Sequence, residues 1–355
     1  MALRFRGPVL PDGEARDLYV VNGRVTLEPA PGAETGAEGW IVPGLVDAHC
    51  HVGLDAHGEV DQATTEQQAV DDREAGALLL RDCGSPADTR WVQDRDDLPR
   101  LIRCGRHVAR TRRYIRNYAH EIEPEDITTY VAQEARAGDG WVKLVGDWIS
   151  REDGDLAPSF PAEAFTAAIA TAHEHGARVT AHCFGETVLP WLVEAGIDCI
   201  EHGTGLTADV VEAMAARGTA LVPTAHQLEN FPMYAAQGAE RFPAYAEHML
   251  ALHARRRETI MGAYDAGVAI YAGTDAGGVL PHGGIADEVA ELAAYGMPAE
   301  YALGAASWRA REWLGWNATL DEGAPADFVV YPRDPRADLS VLRQPAAIVL
   351  RGQLV

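Results

Sequence analysis

His49-Cys50-His51 places two imidazoles at positions i and i+2. On a β-strand such residues share a face, so both rings can address one ion while Cys50 points away. Four more polar side chains stand in or at the ends of other short apolar runs: Lys143 in WVKLVG, His182 in ARVTAHC, His202 in IDCIEHG and Asp275 in VAIYAGTDAG. Imidazole and carboxylate donors suit a zinc-like ion, and an open coordination position would hold a water with its pKa lowered toward ~7, the nucleophile of a hydrolase. That chemistry works only if the fold brings all of these side chains to one pocket.

The pattern of elements supplies such a fold. Eight apolar runs alternate with helical segments: WIVPGLVDAH, GALLLRDCG, LIRCGRH, WVKLVG, ARVTAHC, IDCIEHG, TALVPTAH and VAIYAGTDAG. Segments between them, such as PAEAFTAAIATAHEHG, carry apolar residues at helical spacing and stop at glycine. Alternating units of this kind predict an α/β protein, a (β/α)8 TIM barrel over 41–312, close to the ~250 residues usual for that architecture. Working residues of such a barrel lie at the C-terminal ends of strands, where these six are. The ends of the chain, 1–40 and 313–355, read as strands and predict a small β-sandwich domain. Asn22-Gly23 marks a hairpin turn within it, and PAPGAETGAEG at 29–39 reads as a loop.

Charge narrows the partners. The 355 residues carry 30 Lys+Arg against 53 Asp+Glu, a net charge of −23, and such a field repels phosphate backbones and anionic lipid. Nucleic acid and membrane are therefore unexpected, a small-molecule substrate is expected, and a homo-oligomer stays open. The N-terminus has no apolar run of secretory type, and no stretch of 18 apolar residues occurs. Five cysteines without CxxC spacing read as reduced thiols, which fits a cytoplasmic location.

The strings VPGLVDAHCH, LLLRDCG, HCFGETVLPWLVEAGIDCIEHGTGL, AGTDAG and the tail ADFVVYPRDPRADLSVLRQPAAIVLRGQLV resemble the metal-dependent amidohydrolase superfamily, in its imidazolonepropionase-like and Xaa-Pro dipeptidase (prolidase-like) branch. The resemblance covers nearly the whole chain. It implies that His49, His51 and Asp275 hold one ion, that His182 and His202 hold a second, and that Lys143, carboxylated by CO2, bridges two zinc ions. It also gives Asp275 a proton-transfer role, and it implies hydrolysis of a C–N bond in a dipeptide or N-acyl amino acid. Two alternatives stand beside this: a mononuclear cyclic-amide hydrolase or aminohydrolase, in which Lys143 stays an amine paired with an acid such as Asp147, and a metal-free scaffold.

Substrate residues are expected on the loops. His120 in RNYAHEIEPED and His226 after the seventh run would face the pocket, although a surface histidine reads equally well. Trp148 in KLVGDWIS departs from the small, glycine-rich segment of dipeptidase relatives and bears on substrate class. An arginine run, Arg103 to Arg116, crowds the third unit of an acidic chain. Arg113 and Arg116 are its candidates for holding a substrate carboxylate, against the plainer reading of a solvated basic face. PHGG at 281–284 reads as an active-site loop.

Overall fold

The computed structural model describes residues 2–355 and is a mixed α/β fold. Its parallel strands are β1 (Leu45–Cys50), β2 (Ala77–Asp82), β3 (Arg100–Arg103), β4 (Val108–Arg110), β5 (Trp141–Val145), β6 (Arg178–Cys183), β7 (Cys199–His202) and β8 (Ala220–Val222). β1, β2 and β3 pair side by side, and β4, β5, β6, β7 and β8 form a second parallel run. The segment 268–275 lies between the two runs. On one side Leu221 N donates to Ala269 O and Tyr271 N to Leu221 O; on the other Ala48 N donates to Ala272 O and Asp275 N to His49 O.

Alternation along these strands builds two cores. Leu78, Leu80, Val142, Leu144, Ile200 and Leu221 pack with the helices, whereas Leu79, Trp141, Cys199, Ala220 and Val222 pack with one another on the opposite face. Strands buried on both faces read as continuous apolar runs, which is why they are visible in the sequence.

Two boundaries differ from expectation. The run LIRCGRH, expected as one strand, is split: β3 pairs with β2, and β4 pairs with β5. Gly105 breaks it with φ +74°, and a Cβ there would meet Glu134 Oε2 at 2.4 Å, so the chain must turn past that carboxylate as only glycine can. The run WIVPGLVDAH also divides. Trp40–Pro43 pairs antiparallel with Phe328–Tyr331 in the terminal sheet. At Gly44 a Cβ would press on Leu78 and Arg311, and the parallel layer begins at Leu45.

The terminal segments share one eight-stranded sheet, with Phe5, Leu18, Ile41, Phe328 and Val349 in its core. The turn at Asn22-Gly23 has φ of +50° and +77°, the left-handed pair that tight hairpins require. The stretch expected as a loop at 29–39 contains a strand, Glu34–Glu38, parallel to Leu3–Val9; Gly36 fits there because Phe5 occupies the space of a Cβ. Among the described residues no helix is long and apolar enough to cross a membrane.

Candidate active site

The strand ends converge. His49 Nε2 and His51 Nε2 lie 3.3 Å apart, and Asp275 Oδ1 is 3.1 Å from each. His202 lies 5.2 Å from His49 and 4.7 Å from His182, ring centre to ring centre. The three ligands of the first expected ion therefore meet, and the two of the second adjoin them.

Partners on the far side of the rings orient them. His51 Nδ1 is 2.7 Å from the Gly84 carbonyl, which only accepts, so Nδ1 carries the proton and Nε2 presents a lone pair. His49 Nδ1 donates to Glu201 Oε2 at 2.7 Å, and His202 Nδ1 is 2.7 Å from Thr224 Oγ1. Glu201 is held in turn by Arg81, whose Nη2 is 2.7 Å from Oε1. Both groups are fully buried, and the Arg81 guanidinium lies over the Trp141 and Trp313 rings, 4.5 and 4.9 Å from their centres. Histidine ligands of metals are usually oriented by such partners.

Electrostatics agree with a cation site. Burial lowers the pKa of His182 well below its ordinary value and that of His202 to about 3, so both rings are neutral donors at pH 7. Burial alone would raise Asp275, but the His49 charge and the hydrogen bond from His49 hold it well below the carboxylate range. At His49 burial and Lys143 act downward, yet Glu201 and Asp275 outweigh them and raise it. Glu201 and Asp275 thus place negative charge on both nitrogens of the His49 ring.

The donor set passes a direct test of fit. Lys143 Nζ and His182 Nε2 are both buried without a hydrogen-bond partner, a costly state for polar groups unless a ligand completes them. Asp147 does not pair with Lys143. Its carboxylate accepts from Phe184 N and Gly185 N, and burial pushes it up to about 7.

Backbone conformation aims several of these groups. His202, Thr224 and Asp275 all take positive φ, at +66°, +49° and +58°, a region that costs a non-glycine residue free energy and recurs at functional sites. By strict alternation His202 would share the outward face of Ile200; the left-handed turn swings it to the site instead.

Outward from these residues lies a cavity of about 510 Å3, bounded at its inner end by His51, His182 and Asp275. Trp148 lines it as expected, with its ring 4.9 Å from Tyr114 and 5.3 Å from His182. The other substrate candidates are placed elsewhere. His120 bonds Glu134 Oε1 at 3.0 Å and borders a separate surface cavity, because the split of the third strand turns its segment aside. His226 sits in the short helix Ala225–Leu228, and it is the next residue, Gln227, that borders the cavity. Arg113 gives its Nη2 to the carbonyls of Trp148, Ala157 and Pro158, so it fastens the hairpin carrying Trp148 and does not line the cavity. Arg116 is exposed outside it. His282, of the expected PHGG loop, anchors that loop to the Gln62–Glu74 helix through Asp72 at 2.8 Å.

Two groups escaped the sequence reading. His107 is fully buried, stacks on His51 at 5.1 Å and has no partner for either ring nitrogen. It closes the third apolar run just as His182 and His202 stand at the ends of theirs, so the strand-end rule applied evenly would have found it. Arg241 borders the outer part of the cavity, and no spacing in the sequence marks it.

A model of the Amidohydrolase family matches residues 40–355. The chain belongs to the amidohydrolase family. It is accordingly a hydrolase, of a family that binds divalent metals. An uncharacterized protein of Mycobacterium tuberculosis is 56% identical over 353 residues, 99% of this chain and 95% of that one. Among solved structures, a Xaa-Pro dipeptidase with bound methionine superposes with a TM-score of 0.85 at 21% identity, covering 100% of both chains. Ochratoxinase of Aspergillus niger superposes at 0.80 with 20% identity, covering 99% of this chain and 95% of that one. These likenesses establish a TIM-barrel-like α/β fold.

Proposed function

We propose that the protein is a binuclear, zinc-dependent amidohydrolase of the prolidase-like branch that cleaves the C–N bond of a small amide such as a dipeptide or an N-acyl amino acid. The observation that carries the metal count is the orphaned pair Lys143 Nζ and His182 Nε2, buried beside a complete His49, His51, Asp275 group. An ammonium beside two cations would be repelled, whereas a carboxylated Lys143 supplies an anion with two oxygens. His49, His51 and Asp275 would hold one ion and His182 and His202 the other. The scaffold proposed for this is a (β/α)8 barrel over 41–312 with a small β-sandwich domain from 1–40 and 313–355. The backbone hydrogen bonds on both sides of 268–275 support it. The protein's setting is proposed to be cytoplasmic, with a small molecule as partner.

When bound, divalent cations supply Lewis-acid polarisation of the substrate carbonyl and acidify water. The chain's own residues do the rest. Asp275 Oδ1 lies where it can take a proton from the attacking water and return it to the leaving nitrogen, the two halves of general acid–base work. Its side chain keeps a little exposure, 17%, while His49 has 1%, so of these two the carboxylate is the one open to the substrate space, beside His51 and His182. Glu201 and Arg81 hold the His49 ring so that Nε2, not Nδ1, faces that space. Trp148, Tyr114 and Phe184 exclude water from it.

Metal content measured with a hydrolysis screen tests the reading. Protein prepared with zinc and bicarbonate should carry two ions per chain and cleave members of a panel of dipeptides and N-acyl amino acids. Saturation at one ion, or turnover confined to lactams or lactones, would replace it by the mononuclear cyclic-amide reading.

A further inference from the structure

The cavity above the strand ends has a chemistry that the hydrolytic centre does not require. Seven Tyr, Trp and Phe rings wall it, among them Tyr114, Trp148, Phe184, Tyr234, Phe242 and Tyr245. Val279 stands 53% exposed at its border. Its volume of about 510 Å3 falls in the ~300–1,000 Å3 range of sites that enclose drug-sized ligands. A ring-free dipeptide would leave much of that space unfilled, and its polar backbone would lose water against ring faces that offer little hydrogen bonding in return. An aromatic or similarly bulky apolar group buries its area there and gains offset or edge-on contacts with the walls.

Charge in the cavity is sparse. Arg241 is the one arginine or lysine bordering it and Asp275 the one carboxylate, and Asp275 belongs to the inner end. Arg241 stands in the turn between the helices Phe231–Gly238 and Pro243–Asp265, its backbone N donating to Gly238 O at 3.1 Å and its guanidinium 5.1 Å from the Phe242 ring centre. Among the described residues no side-chain hydrogen bond or ion pair engages that guanidinium, whereas Arg103, Arg110, Arg255 and Arg256 each pair with an acid. In a chain of net charge −23, a free guanidinium beside an apolar chamber is a local reversal of the field, suited to a carboxylate that can take two parallel hydrogen bonds.

We propose that this chamber binds amides carrying an aromatic or comparably bulky apolar group and a free carboxylate, with Arg241 as the partner of that carboxylate. The proposal rests on the amide-hydrolase reading only for the position of the scissile bond; the binding site itself stands on the cavity. It narrows the N-acyl amino acids and dipeptides to those with a large ring or side chain.

Equilibrium binding tests it without turnover. The probes are N-benzenesulfonyl-phenylalanine, its neutral alcohol counterpart N-benzenesulfonyl-phenylalaninol, and ring-free N-methanesulfonyl-glycine, none of which contains a cleavable amide. The wild-type protein should bind the acid about tenfold or more tighter than the alcohol, the scale of a charge-assisted hydrogen bond, and the ring-free acid should bind weakest. Arg241→Met should erase the preference for the acid while leaving the alcohol within about twofold, and Arg241→Lys should keep part of it. Equal affinity for acid and alcohol in the wild type, equal loss of both in Arg241→Met, or tight binding of the ring-free acid would overturn the proposal. A melting curve for Arg241→Met matching the wild type shows that the exposed residue has no structural part in the result. If the binding order holds but metal-loaded enzyme leaves N-benzoyl-phenylalanine and the rest of the amide panel intact, the site stands and the proposed cleavage of dipeptides and N-acyl amino acids falls.

Discussion

The inner and outer halves of the cavity are held in different ways. At the inner end, His49, His51 and His202 each have Nδ1 fixed 2.7 Å from a partner, and those partners sit on or next to neighbouring strands. At the outer end, Tyr114, Trp148 and Phe184 meet ring to ring, with centroids 4.9 Å or more apart, on segments outside the parallel strands that are tied down at isolated points such as the Arg113 clasp. Directional bonds define one geometry; ring packing tolerates several. The centre that must place a proton is thus built on the parallel strands, and the wall that must accept a substrate's shape on the hairpin, helices and loops beyond them.

The comparison breaks most readily at Asp275, the group that reaches from the inner end into the substrate space. Asp275→Asn should keep the fold and part of the metal yet reduce turnover by ~10² or more, the usual scale for loss of a general acid or base. Near-normal kcat in protein of verified metal content would remove Asp275 from proton transfer.

Glu201 tests whether the inner end depends on its directional bonds. Glu201→Gln keeps the shape of the side chain but no longer offers His49 a carboxylate, and it leaves Arg81 buried without its counter-charge. Metal affinity, measured by competition with a chelator, should fall roughly 10- to 100-fold, with a lowered melting temperature. Unchanged affinity would mean that the His49 ring is oriented by packing alone. At the outer end Trp148→Ala should raise KM several-fold for bulky amides while kcat stays close to wild type, since a ring wall serves binding more than chemistry. A fall in kcat equal to the loss in kcat/KM would merge the two halves into one functional unit.

The same division decides what was legible in the sequence. The strand-end candidates could be read because burial on both faces makes a strand a continuous apolar run, and a histidine, lysine or aspartate interrupting such a run stands out. His49, His51, Lys143, His182, His202 and Asp275 all announce themselves in this way. The left-handed turns that aim His202 and Asp275 leave no such mark, because neither position is glycine. The third strand misled for a local reason: Gly105 splits it, which carries His120 away from the cavity. The arginine run misled because composition reports charge and not its neighbours. Arg103 and Arg110 are paired with Asp139 and Glu123, and Arg113 is spent on backbone carbonyls. Arg241 could not be singled out because its surroundings come from loops whose approach depends on tertiary packing.

The smallest effect concerns how the outer wall is fastened. His248, on the helix Pro243–Asp265, lies between two carboxylates, with Nε2 2.9 Å from Glu186 Oε2 and Nδ1 2.9 Å from Asp155 Oδ1. Arg255 of the same helix also pairs with Glu186. The hydrogen bond to Glu186 first, opposed by partial burial and seconded by Asp155, raises the His248 pKa to about 9. A pKa raised in the folded state means that the charged ring stabilises the fold fully below the unfolded value of ~6.5. That contribution is lost as pH rises through about 9. This helix carries Tyr245, and the turn before it carries Arg241 and Phe242, so its release loosens one side of the chamber and leaves the strand-borne centre in place. Hydrogen exchange of residues 226–248 should therefore quicken between pH 7 and pH 10, after correction for intrinsic rates, while that of β1, β6 and β7 does not. In His248→Gln the segment should exchange at one corrected rate across the same range. If that pH step persisted in the variant, the outer wall would be fastened by some other group.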